Sequence, residues 1–454
     1  MPIRPNKAGL SESPMHRSFR EVDSSLQSAV LERNRLDCLF CTKLGLAEVV
    51  WNAVAQLGET PGKQGIVLDF QLDEETQLFR DSVRKWVDAE CPKTWCRELE
   101  RQEHQYPQTL WDKLSAAGFT GVGVAEEFGG LGGNIITQAV FTRELARNAA
   151  GLGWIWGITA FSGVNAILTH GSSEQKRQFL PLMAAGKLRT AMSFTEAGGG
   201  TDLLGGLKTT AHRSAGGWIL NGEKVWSTTA DTADYLLLMA RSNKEVKRRS
   251  DGVSLFFVPR NTPGIRTTPS PKLGMRALSS CVVSLENVFV PDALLLGEAD
   301  KTWQQTTRTL NGERIMNAAM CLGMIDGVLE DALAYMQQRR AFGKLIGEFQ
   351  ALQHYVADIA MWQIQSELMV MYTAWLESLG RPCGQEAAMC KTIVSEYACR
   401  AADLGISILG GMGYSAETDM QRYWRDARLL RIGPVSNEMA RNMIAEGLGL
   451  PRSF

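Results

Sequence analysis

The densest run of residues able to do chemistry is Met192-Ser-Phe-Thr-Glu-Ala-Gly-Gly-Gly-Thr-Asp202. Consecutive glycines let backbone N–H groups approach a ligand closely, and Thr195 and Thr201 add hydroxyl donors. Such a loop suits a phosphate or the polar edge of a flat ring; taken alone, a structural turn explains it equally well. Further on, Val225-Trp-Ser-Thr228 sets a large aromatic beside hydroxyls, so Trp226 can cover a ring while Thr228 bonds to its edge. By itself that segment reads more simply as a tryptophan packed in a β core. The nine cysteines and five histidines organise nothing comparable. Cys38 and Cys41 form a single C-x-x-C, Cys91 and Cys96 stand far along, and His16, His104, His170, His212 and His354 make no paired ligand motif, so a metal enzyme is not expected.

These residues need elements to position them. Asp73, before Leu78 and Phe79, reads as a helix N-cap with Glu74 and Glu75 at the positive end. Helical pattern continues to about Leu188, broken by Glu127-Phe-Gly-Gly-Leu-Gly-Gly133. From Thr190 the period falls toward two. Trp218 to Leu220, Asn221-Gly222 and Glu223 to Trp226 predict a hairpin with a tight turn. Tyr235 to Ala240, Val253 to Val258 and Cys281 to Val290 predict strands, the last closed by Pro291. Helical periodicity returns near Trp303: Ile315, Ala318, Leu322, Ile325, Leu329 and Leu333; then Leu352, Val356, Ile359 and Trp362; then Ile393, Tyr397, Ala401, Leu404 and Ile408, ended by Gly410-Gly411. A fourth helix starts near Ser436 or Asn437. Helices, then strands, then a four-helix bundle is α+β segregation. The expected divisions are an extension over 1–66, a helical domain over 67–188, a β domain over 189–298 and a helical bundle over 299–454.

Composition limits the functions. Hydrophobic content of 44% and charged content of 21% describe a globular chain, and a net charge of -1 gives no basic field for nucleic acid or an anionic membrane. No run reaches the roughly 18 uninterrupted apolar residues of a membrane span. The first ten residues do not read as a signal peptide, and an odd cysteine count argues for reduced thiols in a cytoplasmic protein.

Five motifs stand in order: Thr195-Glu-x-Gly-x-Gly-Thr-Asp202, Asn221-Gly-Glu-Lys-x-Trp-x-Thr228, Arg340-x-Phe-Gly-Lys344 with Gln350, Ile408-Leu-Gly-Gly-x-Gly413 and Arg425-Asp-Ala427. Together, from about Phe70 to Leu450, they resemble the acyl-CoA dehydrogenase family of flavoproteins. The resemblance implies an N-terminal helical domain, a middle β-barrel or sandwich domain and a C-terminal four-helix bundle, assembled as a homotetramer or homodimer. It implies FAD between the middle and C-terminal domains, an acyl-CoA substrate of fatty acid metabolism and an electron-transfer flavoprotein as acceptor. Phe194, Thr195, Gly200 and Thr201 match the segment lining the flavin and its phosphates, Thr201 also facing substrate. Trp226 and Thr228 match the Trp against the ring and the Thr near its N5. Arg340, Phe342 and Gln350 match residues that reach the FAD of a neighbouring subunit. Gly410 and Gly411 match the pair near the adenosine, Ser436 and Glu438 join the cofactor set, and Arg314 matches an Arg at the CoA end of the substrate cavity.

In this chemistry a carboxylate removes the α-proton of the thioester while a hydride leaves the β-carbon for flavin N5, giving the trans-2-enoyl-CoA. The chain departs from the family's commonest pattern here. Counting from Arg425-Asp-Ala427, the usual Glu falls on Pro434, which is no base and lacks the N–H that helps polarise the thioester. Losing one such donor costs on the order of 3 kcal/mol of transition-state stabilisation if nothing replaces it. A minority, including the isovaleryl and long-chain types, carries the base before the Arg near the start of the bundle. In Asn311-Gly-Glu-Arg314 that residue is Glu313, the expected base, with Glu438 a weaker candidate. The last third is similar to the crotonobetainyl-CoA reductase side of the family. Two other readings stand beside the dehydrogenase: an enoyl-CoA reductase running the same hydride path backwards, and a binding scaffold with impaired chemistry.

Overall fold

The computed structural model describes residues 71–102 and 106–452. The 1–66 extension, Cys38, Cys41, His16 and His104 lie outside them. Asp73 caps α1 (Glu74–Glu90) as expected, accepting the Thr76 N–H at 2.8 Å. α2 (Lys93–Arg101), α3 (Gln108–Ala116), α4 (Ile135–Asn148), α5 (Ala150–Thr159), α6 (Ala166–His170) and α7 (Ser173–Ala184) complete the N-terminal helical domain. Asn134 caps α4 through its side chain, and Ser172 with Gln175 forms a capping box on α7. Between α5 and α6, Ala160–Asn165 is a π turn. The rod from Ala150 to His170 has no long uninterrupted apolar run, yet by length and composition it could cross a membrane; 83% of its most apolar 18-residue stretch is buried in the fold, which makes it a core helix.

The middle domain is an eight-stranded sheet: β1 (Thr190–Ser193), β2 (Thr210–Ser214), β3 (Gly217–Thr228), β4 (Tyr235–Arg241), β5 (Val253–Pro259), β6 (Ile265–Pro269), β7 (Ser280–Pro291) and β8 (Leu295–Leu296). The strands lie in the order β6-β7-β3-β2-β4-β5-β8, with β1 parallel to β4. The hairpin expected at Asn221-Gly222 is corrected: β3 runs straight through it. β7 pairs with β3 along its length, so continuing satisfies more backbone than turning would. Asn221-Gly222 instead makes a bulge, where the register shifts between Leu220 and Gly222. A Cβ on Gly222 would stand 2.4 Å from the Thr209 hydroxyl, so glycine is needed for close approach. The tight turn lies at Ala215-Gly216, between β2 and β3.

The C-terminal domain contains α8 (Thr302–Met336), a short ribbon of β9 (Arg340–Ala341) and β10 (Lys344–Leu345), then α9 (Gln350–Ser378), α10 (Gly384–Leu409), α11 (Gly411–Tyr414), α12 (Met420–Leu430) and α13 (Asn437–Gly447). The four expected helices are present, and α12, which carries Arg425-Asp-Ala427, adds to them. α8 is the central rod. Gly323 and Gly327 let it approach the α4 backbone: a Cβ there would stand 2.2 Å from the Arg143 carbonyl oxygen and 2.3 Å from that of Arg147. Arg143 crosses the same seam, donating to Asp326 at 2.6 Å and to Glu367 on α9 at 2.8 Å. A rod held this firmly is a suitable mount for a catalytic group.

Candidate functional site

Thr306, Leu310 and Glu313 share one face of α8 at helical spacing. They line a cavity of about 30 Å³ with Phe161 and Asn165 of the π turn, His170, Met192 of β1, Phe194, and Leu237 and Leu255 of the sheet. Helical domain, sheet and bundle therefore meet at Glu313. The residue is 7% exposed, and no hydrogen bond to its carboxyl is found among the described residues. Burial pushes its pKa up from 4.5 to about 7, only partly opposed by the adjacent Arg314 charge. Arg314 is buried on another side of the helix, donating to Asn311 Oδ1 at 3.0 Å and to Met443 Sδ at 3.7 Å. It is not among the residues that line this cavity. Where the usual carboxylate would stand, Pro434 follows a glycine whose carbonyl accepts from Asn317 Nδ2 at 3.0 Å. Asn317 is one turn beyond Glu313, so the two loci border the same stretch of α8.

Phe194 begins the Gly-rich loop. A buried ion pair sets its path: Lys224 Nζ donates to Glu196 Oε1 at 2.7 Å and to the Phe194 carbonyl at 3.2 Å. Glu196 also accepts the N–H groups of Lys208 and Thr209. Burial opposes the ionised form of Glu196, but Lys224 and Thr209 outweigh it and lower its pKa; burial takes Lys224 down to about 8. Gly199 and Gly206 touch back to back, a Cβ on Gly206 lying 2.0 Å from the Gly199 Cα. Gly200, at φ 39, faces open space, with exposed Thr201 beside it. The Val225 N–H donates to the Thr195 carbonyl at 2.9 Å, joining the loop to β3. There Trp226 sits in a second register shift at φ 59 with its side chain 62% exposed, and Thr228 follows. An indole held out in this strained conformation beside hydroxyls and open glycine backbone matches the flat ring and phosphates of a flavin dinucleotide. The alternative of a tryptophan packed in the β core is set aside by its exposure.

The other expected cofactor residues lie apart from this wall. Arg340 and Phe342 project from the β9–β10 ribbon, Phe342 being 95% exposed, and Gln350 begins α9. Gly410 and Gly411 join α10 to α11 with open space around both. Ser436 is the α13 N-cap, its hydroxyl accepting the Met439 N–H at 3.2 Å, and Glu438 is exposed in the first turn. A larger groove of about 610 Å³ between α9, α10 and α12 contains none of the motif residues and is not the candidate site.

Sequence profiles of the acyl-CoA dehydrogenase N-terminal, middle and C-terminal domains match residues 73–187, 191–288 and 300–449. The chain belongs to the acyl-CoA dehydrogenase family. It is 34% identical over 382 residues to a probable acyl-CoA dehydrogenase, YngJ, of Bacillus subtilis strain 168, covering 84% of this chain and all of that one. It is 30% identical to an acryloyl-CoA reductase (NADH) of Anaerotignum propionicum, covering 83% and 95% of the two chains. The solved butyryl-CoA dehydrogenase of Megasphaera elsdenii superposes with a TM-score of 0.80 at 29% identity, over 84% of this chain and 100% of that one. The chain is thus an FAD-dependent oxidoreductase acting on the CH–CH group of acyl-CoA thioesters, with the three-part fold of the family.

Several residues at the site escape a sequence reading. Asn165 and His170 reach the cavity from a helical rod with a π turn, which displaces its faces from the simple period. Lys391 is 0% exposed on α10 and donates to the Val435 carbonyl at 2.6 Å and to Asn437 Oδ1 at 2.7 Å. Its signal was available, a lysine beside Cys390 and Val394 on an apolar face. The Arg425-Asp426 pair proves to be a strut: Asp426 accepts the Met275 N–H at 2.6 Å, and Arg425 binds Glu100 at 3.0 Å, tying α12 to the β domain and to α2.

Proposed function

We propose that the chain oxidises an acyl-CoA thioester to the trans-2-enoyl-CoA, with Glu313 removing the α-proton. One observation carries this: Glu313 is the carboxylate lining the cavity, buried among mostly apolar side chains with a pKa near neutrality, beside the loop that leads to Trp226. A base must be ionised yet basic enough to take a weakly acidic proton, and a value of about 7 meets both needs. Phe161, Leu310, Phe194 and the sheet side chains keep water from the proton in transit. Thr195, Gly200, Thr201, Trp226 and Thr228 would hold the flavin, which when bound accepts the hydride from the β-carbon. Ser436 and Glu438 complete the proposed cofactor set from the bundle side.

A self-assembled form, homotetramer or homodimer, is part of this reading. Phe342 and Arg340 stand free on their ribbon, where they suit the FAD of a second copy. Met361, Ile364, Leu368, Tyr372 and Trp375 of α9, with its C-cap Leu379, form an exposed apolar stripe at helical spacing. An electron-transfer flavoprotein is the proposed acceptor. Seven described free thiols fit a reducing, cytoplasmic setting. The similarity to an acryloyl-CoA reductase favours a second reading, the same reaction run toward the saturated thioester with the electron partner setting direction. The test is exchange of the α-proton of bound acyl-CoA in heavy water, alongside flavin bleaching by a panel of acyl-CoA thioesters. Exchange that Glu313→Gln abolishes supports either direction; no exchange in the parent protein leaves only a binding scaffold.

A further inference from the structure

As an α-proton passes from a thioester to its base, negative charge builds on the carbonyl oxygen, and a donor aimed at that oxygen lowers the barrier. The oxygen and the α-carbon are about 2.4 Å apart by standard bond lengths, so the donor must share a wall with the base. The segment across α8 has no N–H to give at position 434, which is proline. Its neighbouring carbonyls, of Gly433 and Val435, are acceptors already taken by Asn317 and Lys391. The polar side chains lining the cavity are Asn165, His170, Thr306 and Glu313. Glu313 is the proposed base. Thr306 donates its hydroxyl to the Thr302 carbonyl at 2.9 Å, and His170 has an interaction of its own. Asn165 is uncommitted: it makes no side-chain cap bond to α6, and no hydrogen bond of its carboxamide is found among the described residues.

Local structure gives no reason for an asparagine here. Asn165 closes the π turn Ala160–Asn165 in the middle of the rod, where asparagine is a poor helix former. Its chain neighbours Val164, Ala166 and Ile167 are buried and apolar, so packing too would favour an aliphatic side chain. A half-buried amide without a partner carries a desolvation cost. The wide turn moves the faces of the rod away from the simple helical period, and it brings Phe161 and Asn165 to the cavity together. Asn165 Nδ2 lies 4.0 Å from where a Cβ on Gly312 would stand. Gly312 directly precedes Glu313 and has no side chain to cover the amide. An uncommitted N–H donor and the buried carboxyl therefore meet at one turn of α8.

We propose that Asn165 is a catalytic residue, its Nδ2 donating to the thioester carbonyl oxygen in place of the backbone N–H that proline at 434 cannot supply. This rests on the reading of Glu313 as the base. The experiment is infrared difference spectroscopy of the FAD-loaded protein with 2-butenoyl-CoA isotope-labelled at its carbonyl, in the parent, Asn165→Leu, Asn165→Asp and Glu313→Gln. Leucine removes the donor; aspartate keeps the shape and, ionised, has no proton to donate. In the parent and in Glu313→Gln the bound carbonyl stretch is expected below that of the free thioester, and in both Asn165 variants at or above the free value. Flavin bleaching by butyryl-CoA should slow on the order of 10²- to 10³-fold in both Asn165 variants. In Asn165→Leu the pH at which the rate levels off should stay where it is in the parent. Retained flavin absorbance shows that a variant keeps its fold, and the aspartate variant carries the test if leucine does not. A carbonyl stretch that is the same in the parent and the Asn165 variants overturns the proposal. So does a slowed reaction with a displaced pH profile and an unmoved carbonyl, which would make Asn165 a partner of Glu313 instead. A failed reading of Glu313 shows separately: α-proton exchange then persists in Glu313→Gln, while the carbonyl shift still follows Asn165.

Discussion

Replacing Glu313 by glutamine keeps the side chain's size and removes its basicity. Two effects of opposite sign should follow. General-base catalysis contributes roughly 10²- to 10⁴-fold, so flavin bleaching by acyl-CoA should slow by that factor, about 3–5 kcal/mol of barrier. Stability should move the other way. The carboxyl titrates near 4.5 ordinarily and at about 7 when folded. Between those values the folded chain holds a proton that the unfolded chain has released, so unfolding free energy falls as pH rises through the window. At about 1.4 kcal/mol per tenfold, the loss approaches roughly 3 kcal/mol above pH 7. Glutamine has no such loss. Glu313→Gln should therefore unfold at higher temperature than the parent at pH 8 and at nearly the same temperature below about pH 4.5. The parent's bleaching rate should rise about tenfold per pH unit below about 7 and level off above it. Stopped-flow bleaching and thermal melts across pH read both effects on the same two proteins. A variant that bleaches at the parent rate, or a variant whose melting advantage over the parent is independent of pH, would refute the reasoning.

Lys224→Met should be costly, because it leaves Glu196 buried without its cation; a loss of about 3–5 kcal/mol is expected in denaturant titration, together with reduced flavin content. Trp226→Ala should scarcely change stability in the flavin-free protein, since the indole is 62% exposed, while flavin affinity measured by fluorescence quenching should fall several-fold. Lys391→Met should leave the Val435 carbonyl without this donor and Asn437 Oδ1 with only the Ser395 hydroxyl, costing about 1–3 kcal/mol of stability. It should also raise KM for acyl-CoA as the 433–437 segment loosens, and unchanged kinetics would count against that segment's role.

What was legible in the sequence followed from residues acting locally. Asp73 caps α1 because its carboxylate reaches an N–H three residues on, a relation written in spacing alone. The long stripes of α8 and α10 were legible because buried helices repeat their apolar positions. Asn221-Gly222 misled because its turn chemistry is real but local, and pairing with β7 sixty residues away decided the outcome. Trp226 could not be told from a core tryptophan until the bulge in β3 turned it outward. The Glu313 position was legible by resemblance, whereas its environment was not. The walls come from the π turn, β1, β4 and β5, segments whose meeting no local pattern records.

The position of Pro434 bears on why a base at 313 is physically workable. A carboxylate there and one at 313 would approach the same stretch of α8, as the Asn317 bond to Gly433 shows. Two carboxylates brought to the same buried stretch of that helix would raise each other's pKa, and one would stay protonated. Proline at 434 supplies no such competitor, and burial holds the Glu313 carboxyl up at about 7. The segment around it then has to be held without a side chain of its own. Lys391 binds the Val435 carbonyl and Asn437, Asn317 binds Gly433, and Glu396 gathers Asn437, Arg431 and Arg441. None of these groups donates to Glu313, so the segment is fixed without a bond that would hold that carboxyl ionised. A hydrogen bond from any of them would stabilise the ionised carboxylate and weaken it as a proton acceptor.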